Sequence, residues 1–182
     1  MKSLINILTM SRIILALIIF ILILQSDKYV IAFLLFMFAG ITDFFDGYLA
    51  RKYKLQSVIG EILDPIADKI LVVFIFFALA IDLSSFTVGF LASLIICREI
   101  WVSALRDYNS RNKNTLATKV TFIAKVKTTT QMFTISLYLF ALAIDNMLLI
   151  IISDLFLAIS AIVTLYTGYI YTYNSFTKNN NN

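Results

Sequence analysis

Six long apolar segments constrain this chain more than any other feature of its sequence. A helix needs about 20 mostly apolar residues to cross a bilayer, and runs of this kind recur along all 182 residues. Hydrophobic residues make up 60% of the chain, whereas soluble domains hold about 45–50%. We therefore expect one all-α polytopic membrane domain over residues 1–182, with six transmembrane helices near 10–25, 29–50, 58–81, 86–107, 125–144 and 147–170.

The connections between these segments alternate in charge. Lysine and arginine gather in one set, and the opposite set holds a single lysine, Lys28, within residues 25–28, 81–85 and 144–146. The positive-inside rule then places both termini in the cytoplasm. We expect residues 1–9 to form an interfacial segment, and residues 175–182, which end in a run of asparagines, to be a disordered tail.

The missing residue types exclude several kinds of active site. The chain has no histidine and one cysteine, Cys97, which rules out Ser-His-Asp triads, Cys-His pairs, histidine-ligated zinc and an intramolecular disulfide. Any chemistry must therefore use carboxylates, lysine, arginine, hydroxyl groups or a bound metal. We expect Cys97 to be a buried apolar filler, and we expect lipid and small-molecule partners rather than nucleic acid.

Four aspartates lie at the expected cytoplasmic ends of the second and third segments. Asp43 and Asp46 are three residues apart, and Asp64 and Asp68 are four apart, so each pair lies on one helix face. The short loop between the segments makes them antiparallel neighbours, which brings the carboxylates to a similar depth. Four such groups cannot all be ionised alone, so they share protons or bind cations. Oxygen ligands favour Mg²⁺ or Mn²⁺, and two ions about 3.5–4 Å apart would suit phosphoryl transfer.

The residues between the aspartates fit a phosphate-bearing ligand. Gly47, Ala50 and Gly60 add little bulk, so such a group could approach the backbone. Arg51 supplies a planar fork of donors suited to a phosphate. Pro65, the single proline, would bend the third helix and turn its carboxylates toward the cleft.

This pattern resembles the signature of the CDP-alcohol phosphotransferase family, D-x2-D-G-x2-A-R-x8-G-x3-D-x3-D. Its eight positions are matched by Asp43, Asp46, Gly47, Ala50, Arg51, Gly60, Asp64 and Asp68. Residues 5–12 (INILTMSR) resemble the family's usual start, with Ile5 in place of the common proline. Residues 97–107 and 124–132 resemble the branch that makes phosphatidylglycerophosphate in bacteria, with Ala124 where glycine is usual.

The resemblance implies a six-helix enzyme, usually a homodimer, in the bacterial inner membrane with a polar cleft open to the cytoplasm. Its reaction would transfer the phosphatidyl group of CDP-diacylglycerol to sn-glycerol 3-phosphate and release CMP. By the family's pattern, Asp43, Asp46 and Asp64 bind two divalent cations, Mg²⁺ or Mn²⁺, while Asp68 is the base and also contacts the second ion. The implied contacts of CDP-diacylglycerol are Asn6, Thr9, Asp46, Gly47, Ala50, Arg51 and Gly60.

The acceptor carries its own phosphate and so requires a second anion site. Arg98 and Arg106 are eight residues apart on the fourth segment, about two turns along one face. Arg98 lies in a hydrophobic run, where a charge is costly and usually functional. We assign both arginines to the phosphate of the acceptor, although Glu99 and Asp107 offer salt-bridge partners that would explain them without a ligand.

Lys125 and Lys127 begin the fifth segment and are candidates for the same phosphate. Two lysines two residues apart do not share a helix face, so a role in membrane topology explains them as well. Arg12, which follows Thr9 by three residues, is interpreted as an interfacial anchor.

Two kinds of alternative remain open. Within the family, the acceptor could be serine, inositol phosphate or phosphatidylglycerol. In a different class, the aspartates could line the path of a small cation transporter. The outer halves of the second and third segments, IAFLLFMF and LVVFIFFALA, are apolar and offer no polar path across the membrane, which disfavours the transporter.

Overall fold

The computed structural model describes residues 2–52, 58–112 and 122–177, with the backbone alone at 2–9, 44–52, 58–62, 64 and 122–125. Every regular element in these ranges is a helix, which confirms the all-α prediction. The six helices are α1 (Lys2–Ile23), α2 (Tyr29–Lys52), α3 (Val58–Asp82), α4 (Phe86–Arg111), α5 (Phe122–Ala143) and α6 (Met147–Thr177).

Two of these helices are long and apolar enough to cross a membrane. They are α4 and α6, judged by their length and composition. Shorter apolar stretches occupy Met10–Ile23 of α1 and Tyr29–Asp43 of α2. The fold is therefore compatible with a membrane protein, and six spans with cytoplasmic termini stay a prediction.

Some helix boundaries differ from those expected. α6 continues to Thr177, so residues 175–177 are helical and the tail expected from residue 175 was placed too early. The side-chain amide of Asn109 explains this end, because it donates to Ser175 Oγ at 2.7 Å and fastens α6 to α4. The fourth helix was expected to end near residue 107, and α4 instead continues to Arg111.

Tight turns make α1–α2, α3–α4 and α5–α6 antiparallel neighbours. Ser84 and Asp145 adopt positive φ angles of 45° and 52° where the chain reverses. The hydroxyl of Ser85 then caps α4 by accepting from the backbone N–H of Val88 at 3.3 Å. Asn146 caps α6 in the same way, accepting from the N–H three residues on at 3.2 Å. These turns lie at the end of the bundle away from the signature aspartates.

The core of the bundle is apolar and centred on α3, which packs against α1, α4 and α5. Its fully buried side chains include Ile75, Phe76 and Leu79 of α3. The outward faces carry large exposed apolar side chains such as Phe38 and Ile162, as expected of a surface in contact with lipid.

The inner face of α6 carries many small polar residues beside the larger side chains of Leu157 and Tyr171. Its buried small polar residues are Ser153, Ser160, Thr164, Thr167 and Ser175, and Gly168 lies among them. This face packs against α4 and α5, so α6 can approach them closely and offer hydroxyl groups to their side chains. α1 on one side and α6 on the other therefore position the two halves of the site described next.

Candidate active site

Arg12 joins two of the signature aspartates. Its Nη1 donates to Asp68 Oδ1 at 2.8 Å, and its Nη2 lies 2.5 Å from Asp43 Oδ1. The arginine is 4% exposed and sits on α1, whereas the carboxylates come from α2 and α3. Packing of α1 across both neighbours thus brings the two carboxylates to one guanidinium, as their predicted convergence requires.

The interpretation of Arg12 as an interfacial anchor is wrong. Arg12, Ala16, Ile19 and Ile23 are all buried and fall on one face of α1 at helical spacing. The apolar residues of that face pack into the core, so the arginine at its start is directed into the bundle rather than toward a membrane surface. This periodicity is visible in the sequence and could have placed Arg12 in the site.

Several predicted site residues lie where side chains are not described. They are Asn6, Thr9, Asp46, Gly47, Ala50, Arg51, Gly60, Asp64 and Lys125. Among the side chains that are described, no group of three or more acidic, histidine or cysteine residues could hold a metal ion. The two-ion site therefore stays a prediction. The described donors fit it, because Asp43 and Asp68 offer hard oxygen ligands from two different helices at one point.

A cavity of about 410 Å³ adjoins Asp68 on the side of α4, α5 and α6. Four cationic side chains line it, against the two carboxylates of Asp68 and Glu99. The cations are Lys69, Arg98, Arg106 and Lys127. This excess of positive charge in a partly enclosed space suits an anion such as a phosphate.

Arg98 enters this cavity from α4 and contacts Thr167, Glu99 and Gly168. It is 6% exposed, its Nη2 donates to Thr167 Oγ1 at 2.7 Å, and its Nη1 donates to Glu99 Oε1 at 3.0 Å. Its Nε is buried and has no hydrogen-bond partner among the described residues. The side chain runs over Gly168, where an added Cβ would lie 2.9 Å from Arg98 Cγ. A buried arginine with an unused donor is a costly arrangement that a bound anion would relieve.

Glu99 is the shared carboxylate of the cavity. Its Oε1 pairs with both Arg98 and the ammonium of Lys127, which is 7% exposed. The predicted salt bridge between Glu99 and Arg98 is therefore present. The cavity still holds more cationic than acidic side chains, since Asp68 and Glu99 face four cations.

The sequence suggested Asp107 as the partner of Arg106, and the structure shows a different contact for each of them. Asp107 pairs with Arg111, one helical turn further on, at 2.8 Å. The guanidinium of Arg106 instead lies over the ring of Tyr171, 5.9 Å from its centroid. Among the described residues, Arg106 is thus directed to the cavity by an aromatic ring of α6.

Lys69 is a cavity residue that sequence reasoning missed. It follows Asp68 directly, and its Nζ donates to Ser103 Oγ across the cavity. The available signal was a charged side chain at the start of the apolar run ILVVFIFF, where a lysine needs a reason. Cys97 also differs from expectation, since it is exposed rather than a buried filler.

A second cavity, of about 560 Å³, forms a groove between α2 and α5. Arg12, Asp43 and Asp68 lie at its polar end. The rest of its wall is largely apolar and includes Phe36, Met37, Ile41, Leu71 and Met132. Asp68, Thr128 and Met132 line both cavities, so the groove and the cationic cavity meet at Asp68.

Comparison with known sequences identifies the chain's relatives. A sequence model of the CDP-alcohol phosphatidyltransferase family matches residues 2–166. The chain belongs to this family. The match covers most of the chain and confirms the resemblance inferred from the aspartate signature. Members of the CDP-alcohol phosphatidyltransferase family use divalent cations, in agreement with the oxygen donors at Asp43 and Asp68.

Individual members of the family are similar over nearly the whole chain. A CDP-diacylglycerol–glycerol-3-phosphate 3-phosphatidyltransferase of Rickettsia typhi is 37% identical over 174 residues, which cover 94% of this chain and 96% of the relative. The enzyme of the same name from Rickettsia prowazekii is 37% identical over 173 residues, or 93% of each chain. That of Rickettsia bellii is 40% identical over 141 residues, covering 76% of this chain and 75% of the relative.

Proposed function

We propose that this chain transfers the phosphatidyl group of CDP-diacylglycerol to sn-glycerol 3-phosphate and releases CMP. The observation that carries the proposal is the meeting of the apolar groove and the cationic cavity at Asp68. A lipid donor needs an apolar site beside a polar centre, and a phosphorylated acceptor needs a cationic one. The names of the rickettsial relatives support the same pair of substrates.

The donor half of the proposed site consists of the signature residues and the groove. Asp43, Asp46, Asp64 and Asp68 would hold two divalent cations, Mg²⁺ or Mn²⁺, which would neutralise the diphosphate of the donor. Contacts to the nucleotide and its phosphates are assigned to Asn6, Thr9, Asp46, Gly47, Ala50, Arg51 and Gly60. The groove between α2 and α5 would take acyl chains entering from the bilayer, because its wall is apolar and ends at Asp43 and Asp68.

The acceptor half is the cationic cavity. Arg98, Arg106, Lys127 and the newly identified Lys69 would bind the phosphate of glycerol 3-phosphate, with Lys125 as a further candidate. Glu99 holds Arg98 and Lys127 in place by pairing with both. An acceptor bound there by its phosphate would extend its C1 hydroxyl toward Asp68, which lines the same cavity.

The reaction itself is an in-line displacement at the β-phosphorus. Asp68 accepts the proton of the C1 hydroxyl as that oxygen forms its bond to phosphorus. The bond between this phosphorus and the oxygen bridging to the α-phosphate breaks, and CMP leaves with the electron pair. Positioning of the two substrates and neutralisation of charge account for most of the acceleration of such reactions.

The proposed setting is the bacterial inner membrane. Six spans, two cytoplasmic termini and a cytoplasmic opening of the site are assigned from the charge of the connections. A homodimer is assigned from the family resemblance alone. Both assignments are separate from the reaction and can fail without affecting it.

The test of the reaction is CMP release from CDP-diacylglycerol by the purified chain. We expect release with sn-glycerol 3-phosphate in Mg²⁺, and none in EDTA or with serine, inositol phosphate or phosphatidylglycerol as acceptor. Asp68→Asn should still bind CDP-diacylglycerol yet turn over about 10²–10⁴ times more slowly, as expected for loss of a general base. Release with a different acceptor would refute the substrate assignment, and full turnover by Asp68→Asn would refute the role of the base.

A further inference from the structure

Arg12 contacts two of the signature carboxylates, and the proposed reaction gives it no role. The guanidinium is almost fully buried and is shared between Asp43 and Asp68. Counted over these three described side chains alone, two carboxylates and one guanidinium carry one net negative charge instead of two. In a site partly removed from water, that difference is large for any ion that binds next to it.

Arg12 is also held firmly in this position by the rest of α1. Ala16, Ile19 and Ile23 continue its face into the apolar core, and each is fully buried. This packing fixes the backbone of α1 at Arg12 beside the two carboxylates. A divalent cation bound there would share Asp43 and Asp68 with the charge of Arg12.

We propose that Arg12 is an intrinsic counter-ion of the carboxylate site that limits its affinity for divalent cations. The proposal rests on the proposed function, in which Asp43 and Asp68 are metal ligands. In the absence of a divalent cation, Arg12 holds the two carboxylates together and compensates their repulsion. When a divalent cation binds, Arg12 opposes it, so the ion is bound less tightly than carboxylates alone would bind it.

A purely structural arginine would behave differently. If Arg12 only fastened α1 to α2 and α3, its loss would destabilise the protein equally with and without divalent cations. A counter-ion predicts instead that stability and ion affinity change in opposite directions. It also predicts that charge matters more than shape, which separates lysine from glutamine at this position.

The experiment uses the full chain purified in detergent and measures two quantities. Thermal unfolding is followed in EDTA and over a titration with Mn²⁺, and free Mn²⁺ is measured by electron paramagnetic resonance. The variants are Arg12→Gln and Arg12→Lys. Arg111→Gln is the matched control, because that arginine pairs with an aspartate on the surface of α4, far from the signature residues in sequence.

We expect Arg12→Gln to unfold at a lower temperature than wild type in EDTA and to bind Mn²⁺ at least about fivefold more tightly. Its melting temperature should consequently rise more on addition of Mn²⁺. Arg12→Lys should bind Mn²⁺ with nearly wild-type affinity, and Arg111→Gln should change neither quantity. If Arg12→Gln can be purified only with Mn²⁺ present, that result supports the proposal as well.

Unchanged or weaker binding of Mn²⁺ by Arg12→Gln would overturn the proposal while leaving the reaction intact. Failure to recover folded Arg12→Gln, to the same extent with and without Mn²⁺, would also overturn the proposal. If wild type itself bound no Mn²⁺, the two-ion site would fall together with the role of Arg12. CMP release from CDP-diacylglycerol and sn-glycerol 3-phosphate in Mg²⁺ would then report separately on the phosphatidyl transfer.

Discussion

Arg98 is the residue on which the proposed choice of acceptor depends most directly. It is buried, it contacts side chains of α4 and α6, and its Nε has no hydrogen-bond partner within the described structure. A charge in this position is hard to explain by packing, because Thr167 and Glu99 leave part of the guanidinium unsatisfied. A phosphate in the adjoining cavity would complete its hydrogen bonding.

Replacing Arg98 with alanine should therefore weaken the acceptor and spare the lipid. Hydrogen bonds to charged groups contribute about 1.5–3 kcal/mol, so we expect the KM for sn-glycerol 3-phosphate to rise about 10- to 100-fold in Arg98→Ala. The KM for CDP-diacylglycerol should change by less than about threefold, since the groove lies on the other side of Asp68. Arg111→Ala, an exposed arginine of the same helix, is the control and should leave both values unchanged. An unchanged acceptor KM in Arg98→Ala would contradict the phosphate assignment.

Residue by residue, spacing in the sequence groups the signature carboxylates but does not identify their partners. Asp43 follows from the helical spacing of the second segment and Asp68 from that of the third. The partner of each depends on how a neighbouring helix is rotated about its axis, which only packing between helices decides. The periodicity of α1 directs Arg12 inward, but its two partners follow only from the packing of α1 on α2 and α3. Asp107 was given the adjacent Arg106 although Arg111 lies one turn away.

At the scale of elements, α6 organises the cationic cavity without contributing a charge to it. Thr167 accepts from Arg98, and Thr164 accepts from the side chain of Gln131 on α5 at 3.2 Å. Tyr171 lies under both Arg98 and Arg106. The centroid of its ring is 5.7 Å from the guanidinium carbon of Arg98 and 5.9 Å from that of Arg106. The small residue Gly168 lets Arg98 cross the helix at close range.

Gly168→Ala tests whether this close crossing positions Arg98. The new Cβ would lie 2.9 Å from Arg98 Cγ, so the arginine must shift within a packed interior, at a cost of about 1–3 kcal/mol. We expect the KM for sn-glycerol 3-phosphate to rise about tenfold while the KM for CDP-diacylglycerol stays the same. Gly89→Ala is the matched control, because among the described residues its Cβ would meet Ala80 alone, at an ordinary 3.7 Å. Equal effects of the two substitutions would show that Gly168 has no special relation to the acceptor.

The helices themselves were largely predictable, and their ends were not. Long apolar runs bounded by charged connections predict the existence and order of all six helices. The ends depend on single contacts made in three dimensions, such as the bond between Asn109 and Ser175 that extends both α4 and α6. No local sequence pattern in residues 108–111 or 175–177 predicts the hydrogen bond between Asn109 and Ser175.

For the whole molecule, the alternation of charge predicts which end of the bundle faces the cytoplasm. The turns at residues 24–28 and 144–146 lie at one end, and the end of α4 near Ser110 lies at the other. Ser26, Met147 and Ser110 are all exposed, so cysteines placed there can be labelled without disturbing the core.

Labelling with a membrane-impermeant maleimide measures the orientation in intact cells. Cys97 is first replaced by alanine, since it is exposed and would react. We expect Ser26→Cys and Met147→Cys to be labelled from outside, and Ser110→Cys to be labelled only after the membrane is permeabilised. The reverse pattern would place the site on the outer side of the membrane and contradict the cytoplasmic assignment.

The groove between α2 and α5 determines which measure of concentration governs binding of the proposed lipid donor. Its wall includes Met37 and Ile41, which are exposed on the outer surface of the bundle, so the groove opens at the side of the bundle. A donor that enters this way is encountered in two dimensions, and its relevant measure is the mole fraction of donor among the surrounding lipids. Diluting the donor with inert lipid should then slow the enzyme at constant bulk concentration, while the water-soluble acceptor follows ordinary molar saturation.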